Sequence, residues 1–322
     1  MAFCRMRLGL LAFASVALAP AANMPQITDL SPSAEFFLAK SINQPPWQHL
    51  IVREMRVSSA GIWFLIDSKV QRGLSAIVAT NPTGGVITLM PAPSGTSLGG
   101  LTVTSAGVAT LILRPRSPAA LTEYAPSGAQ VGQWPVSCYA SENLLSIGGR
   151  PSTICGNGLI TKFGQGAPRE TSSWARPGSK FEVVEPHTLA VIDRSTLGIV
   201  MNDLSTGAIA VGASQVPEFS AALNQTAQQR AAYKVSATQG PLGDAVLAMD
   251  TASDGSAWYV LVFPYPVATG PTVVKLDSAG QPLARFRCHV PSGTEVLTQV
   301  EAQNGSLTVS TAHGNVLTYK EH

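Results

Sequence analysis

The chain alternates short apolar runs with glycine-centred breaks, and helical periodicity is nearly absent. The clearest runs are Gly61–Ile66, Val108–Leu113, Leu189–Ile192, Ala257–Phe263, Val273–Leu276 and Leu307–Thr311. Runs of four to eight residues with punctuation this dense predict many short strands, in a sandwich, barrel or propeller. One segment departs from the pattern. Pro217–Lys234 is rich in Ala and Gln and predicts a short helix inserted over the fourth repeat.

Internal spacing separates the three all-β choices. A polar pair, a glycine and an apolar strand recur with the glycine at 61, 107, 158, 207, 255 and 305, in steps of 46, 51, 49, 48 and 50 residues. A four-stranded propeller blade needs roughly 40 to 50 residues. A tight hairpin needs positive φ, which glycine adopts cheaply, so these turns are assigned to the hairpin joining strands a and b of each blade. Further turns at Pro82–Gly85, Pro126–Ala129 and Ser278–Gln281 fit the c–d hairpins. Repeats three and four lack a clean second turn. The last repeat has material for three strands, and the stretch near Phe36–Ala39 offers a fourth. The expectation is a six-bladed β-propeller of four-stranded blades whose last blade is closed by an N-terminal strand, which removes two free edges. The alternative is a stacked β-sandwich.

Composition changes the picture at the N-terminus. Arg5 and Arg7 precede the apolar run Leu8–Ala19 and then small residues, which predicts a secretory signal peptide over 1–22 and a single propeller domain over 23–322. The run is shorter than the roughly 20 residues of a spanning helix. A secreted or periplasmic location follows, with no membrane attachment after cleavage. Without Arg5 and Arg7 the basic and acidic residues balance at 19 each, which argues against nucleic acid as a partner. An exported chain permits disulfides, and Cys138 with Cys155 is the favoured pair. Cys288 is then a buried free thiol at a strand end.

Catalytic signatures are missing: no Gly-x-Ser-x-Gly, no His-Glu-x-x-His and no phosphate loop. The stretch Asp250–Gly255 lacks the distal acid of a calcium loop, so Asp254 is assigned to turn capping. Trp63 and Trp258 lie inside strands and are read as core wedges between blades. His187, His289 and His313 are catalytic candidates by residue type only.

The phrases Ser253-Asp254-Gly255-Ser256-Ala257-Trp258-Tyr259 and Ser59-Ala60-Gly61-Ile62-Trp63-Phe64 resemble the repeat of six-bladed propellers of the NHL-repeat, streptogramin lyase and gluconolactonase group. Val274–Gln281 is similar to their c–d hairpin. The resemblance implies architecture and does not transfer a reaction. It also implies an alternative function, a lactonase or lyase with a divalent metal in the central channel. No matching set of three metal-binding side chains can be aligned here, so no cofactor is expected outside that alternative.

The b–c and d–a connections are longer than the hairpin turns and share one face, where sites usually sit. They are read as Asp67–Gly73, Arg114–Ala119, Gly164–Ser179 and Pro264–Pro271. They bring Lys69, Arg72, Arg114, Arg116, Arg169 and Arg176 against Asp67 and Glu170, with Trp174 and Tyr265 nearby. Arg with aromatics suits an anionic carbohydrate or acidic protein segment. The expected function is a binding or scaffolding module. Its ligand site is placed on the long-loop face or the channel mouth, with Arg72, Arg114, Arg116, Arg169, Trp174, Arg176 and Tyr265 as contacts.

Overall fold

The computed structural model describes residues 24–136, 144–155, 159–164, 169–173, 178–184, 188–193, 198–203, 209–212, 216–219, 221, 250–262, 271–291 and 296–321. The N-terminal leader, Cys138, Trp174, Arg176, His187 and Tyr265 lie outside them. Of the predicted 217–234 helix, Pro217–Phe219 and Ala221 are helical and the rest lies outside the described residues. No helix among the described residues is long and apolar enough to cross a membrane.

The strands are β1 (Ile27–Leu30), β2 (Ala34–Phe37), β3 (Leu50–Ser58), β4 (Gly61–Ser68), β5 (Ser75–Thr80), β6 (Val86–Pro91), β7 (Ser97–Thr104), β8 (Gly107–Leu113), β9 (Ala120–Tyr124) and β10 (Gln130–Pro135). They continue with β11 (Leu144–Ile147), β12 (Arg150–Ile154), β13 (Leu159–Lys162), β14 (Arg169–Ser173), β15 (Gly178–Val184), β16 (Thr188–Asp193), β17 (Gly198–Asp203) and β18 (Ile209–Gly212). The last are β19 (Asp250–Ser253), β20 (Trp258–Val262), β21 (Thr272–Leu276), β22 (Pro282–Cys288), β23 (Leu297–Gln303), β24 (Ser306–Thr311) and β25 (Asn315–Lys320). Each group of four is an antiparallel meander. The first strands contact one another in the cycle β3, β7, β11, β15, β19, β23 and back to β3, which makes the fold a β-propeller with these strands around the axis.

Among the described residues, five of the six sheets in the ring are four-stranded, where the sequence predicts six such blades. The remaining sheet has five strands, because β1 adds parallel to the outer strand β22. The chain then supplies β2 antiparallel to β25 and completes the β23–β25 blade, as the short last repeat predicts. The N-terminal segment therefore covers the outer edges of two adjacent blades. Glu218 from the inserted segment pairs with Arg285 on β22, and Arg285 also donates to the Pro25 carbonyl.

The glycine register holds in four blades and slips in two. Gly61, Gly107, Gly255 and Gly305 stand at a–b connections. Gly158 and Gly207 lie outside the described residues, in the sequence between β12 and β13 and between β17 and β18, which are b–c and c–d connections. The a–b turn of the third blade is at Gly148-Gly149, both with positive φ. Inner strands begin at 50, 97, 144, 178, 250 and 297, so the third repeat is short and the fourth carries the insertion. The even glycine spacing averaged over these opposite deviations.

The glycines also serve two physical needs. At Gly305 φ is +69° with open space around it, which is a turn requirement. At Gly61 a Cβ would lie 2.3 Å from the Thr80 carbonyl oxygen, and at Gly107 2.2 Å from that of Tyr124. There the end of strand c packs directly on the start of strand b. Trp63 and Trp258 are fully buried, as core wedges should be. Asp254 caps its hairpin, accepting from Ser256 and Ala257 N–H at 2.9 and 2.8 Å. Burial pushes this carboxyl up, but those bonds and the Tyr259 hydroxyl more than offset it and hold it below its ordinary range.

Candidate functional site

Two regions collect charge: the axial channel and the long-loop rim. The channel is built from bulges. Register shifts at Val52/Glu54, Gly99/Leu101 and Leu297/Gln299 break the inner ladders of β3, β7 and β23. The bulge at Gly100, with φ +79°, leaves the Leu101 N–H to donate to Glu54 Oε2 at 2.6 Å. Arg53 Nη1 donates to the Leu98 carbonyl at 2.7 Å and Arg56 Nε to that of Leu101 at 3.2 Å. Across the next seams, Val300 N–H donates to Asp250 Oδ2 at 3.0 Å, and Arg56 Nη1 to Glu301 Oε1 at 2.7 Å. Each bond joins the inner strand of one blade to that of its neighbour.

These charges lie in low-dielectric surroundings. Burial pushes the Glu301 carboxyl up to about 7, with Arg56 drawing it down and Asp250 raising it. Near the a–b turns the channel encloses about 180 Å³, lined by Arg56, Glu301, Thr102, Ser146 and Ser253 among others. Among the described residues, no group of three His, Cys, Asp or Glu side chains is placed to hold a metal. Sequence reasoning missed this wall. Its signal was Arg53-Glu54 and Arg56 inside an otherwise apolar strand.

The rim carries part of the predicted set. Lys69 and Arg72 are exposed on the β4–β5 connection, and Arg114 and Arg116 on the β8–β9 connection of the next blade. None of the four forms an ion pair among the described residues. Asp67, the counter-charge read from the sequence, lies 3.7 Å from Arg53 instead. His49, His289 and His313 are exposed on connections of the same face.

Arg169 is a correction. The span 164–179 is not one b–c loop, since it contains the outer strand β14. Arg169 opens that strand opposite Lys162, at the end carrying the c–d connection, on the other face. The spacing misled because the register of the third blade slips. Glu170 follows it into β14. Cys155 is buried and its proposed partner Cys138 lies outside the described residues. Cys288 is free and buried at the end of β22, and burial pushes its thiol up to about 12.

No protein-family model matches the chain, and no curated protein matches it. Among solved structures it is similar to virginiamycin B lyase from Staphylococcus aureus, at 14% identity over 89% of this chain and 87% of that one, TM-score 0.48. It is also similar to the WD40 domain of Pan2 from Neurospora crassa, at 11% identity over 84% and 75%, TM-score 0.47. A third is BamB from Moraxella catarrhalis, at 11% identity over 84% and 98%, TM-score 0.41. The class, a β-propeller, rests on the strand topology itself.

Proposed function

We propose that this protein is an exported binding or scaffolding propeller that captures an anionic ligand on its long-loop face. The observation that carries the reading is the set of four exposed cations, Lys69, Arg72, Arg114 and Arg116, on adjacent blades without ion-pair partners among the described residues. In a mature chain whose charges balance once Arg5 and Arg7 are removed, such a cluster makes a local positive field without general stickiness. The channel acids, by contrast, already accept hydrogen bonds that join blades. Trp174, Arg176 and Tyr265 belong to the same proposal, as does a Cys138–Cys155 bridge in the exported chain. Anionic carbohydrate and acidic protein segments share the chemistry such a rim recognises.

The test uses the mature chain with polygalacturonate and poly-glutamate as probes. Binding should weaken as salt rises past physiological strength, where screening acts over about 8 Å. Replacing Arg72 and Arg114 by Ala should weaken it further at unchanged melting temperature. Binding that ignores both salt and these substitutions overturns the reading.

A further inference from the structure

A second site stands on the opposite face, in the cleft between the second and third blades. It encloses about 630 Å³, within the roughly 300–1,000 Å³ of small-ligand sites. Its second-blade wall is the end of β9 and the outer strand β10. Its third-blade wall is the Gly149 hairpin with Phe163 and Gly164. The cleft therefore opens on the short-turn face, away from the rim cations.

Three features make this a built site. Gly132 and Trp134 lie on one side of β10, and a Cβ at Gly132 would fall 2.2 Å from Trp134 Cη2. The glycine lets the indole lie along its own strand. The ring is half-buried and leans on buried Phe163 at 6.1 Å between centroids. Secondly, Glu123 is only 8% exposed and takes one hydrogen bond, from the Thr104 hydroxyl, among the described residues. An ionised carboxylate has about four acceptor positions, and a buried one is costly while they stay unfilled. Thirdly, Arg150 runs its stem past Gly164, where a Cβ would lie 3.5 Å from its Cδ. Its guanidinium is exposed and forms no ion pair among the described residues.

A ligand here must bring a flat apolar face for Trp134, hydroxyl or N–H donors for Glu123, and acceptors for Arg150. The carboxylate opposes an anion and the guanidinium opposes a cation. A pyranose meets all three demands, with C–H groups on its face and hydroxyls on its edge. An extended peptide adding to β10 fits worse. The bulge between Gln130 and Gly132 and the missing N–H of Pro135 interrupt that edge. We propose that this cleft binds a neutral oligosaccharide, with Trp134 as the stacking platform and Glu123 and Arg150 reading the hydroxyl edge.

The experiment titrates maltotriose, cellotriose and tri-N-acetylchitotriose into the mature chain, following tryptophan fluorescence and heat. At least one should saturate, with a dissociation constant of about 1 mM. Trp134→Ala should abolish the response. The near-isosteric Glu123→Gln should weaken it about tenfold while melting stays unchanged. Arg72→Ala should leave it intact, which separates this site from the rim. No saturable signal with any of the three sugars overturns the proposal. So does a signal that survives both Trp134→Ala and Glu123→Gln.

Discussion

Charges on the channel wall and charges on the long-loop rim behave as opposites. Arg56, Glu54, Asp250 and Glu301 project from inner strands and are spent on hydrogen bonds that bind neighbouring blades. Lys69, Arg72, Arg114 and Arg116 stand on connections and touch no opposite charge among the described residues. The difference teaches that position in the blade, rather than residue type, decides whether a charge is structural. An inner strand holds its side chain against the next blade, while a loop leaves it in water.

The hardest test of that contrast is Arg56→Ala. It leaves Glu301 buried without its guanidinium, and losing one partner of a buried pair costs about 3–5 kcal/mol. Chemical denaturation should show the midpoint falling, and an unchanged midpoint would break the contrast. Next is pH. Glu301 binds its proton more tightly in the folded chain, because burial raises its pKa from 4.5 to about 7. Its favourable contribution is complete below about pH 4.5 and lost as pH rises through about 7, a fall of up to about 3 kcal/mol. Comparison of stability–pH curves for the native chain and Glu301→Gln should show that slope in the first alone.

The proposed bridge of Cys138 to Cys155 sharpens the picture for the least regular blade. In the chain-entropy model a loop of this length is worth about 3 kcal/mol, so Cys155→Ser should lower the melting temperature. Non-reduced peptide mapping should show the crosslink. The smallest expected effect lies on the rim. Arg114→Ala should change stability by less than about 0.5 kcal/mol while reducing retention on an anionic matrix. A large stability loss there would mean the rim charges are structural after all.

The sequence-level reading was sound where the requirement is local. Hairpins at Gly61, Gly107, Gly255 and Gly305 could be placed because each needs a residue without Cβ, for φ or for an approaching carbonyl. It failed at Gly158 and Gly207, where glycines of other connections fell at the expected spacing. Arg169 was carried to the wrong face by the same slip. The cleft at Trp134 was invisible, since Glu123 and Arg150 converge only when two blades pack.

What the chain by itself determined is the strand-and-turn alphabet, the buried Trp63 and Trp258, the capping by Asp254 and the need for an N-terminal strand in the last blade. Those follow from φ preferences, alternation and local hydrogen bonds, all written within a few residues. Tertiary structure alone decided that β1 also covers β22, that inner-strand bulges face the neighbouring blades' carboxylates, and which charges stay in solvent. Each of these depends on residues tens or hundreds of positions apart, and spacing along a chain carries no record of which blade edges meet when the ring closes.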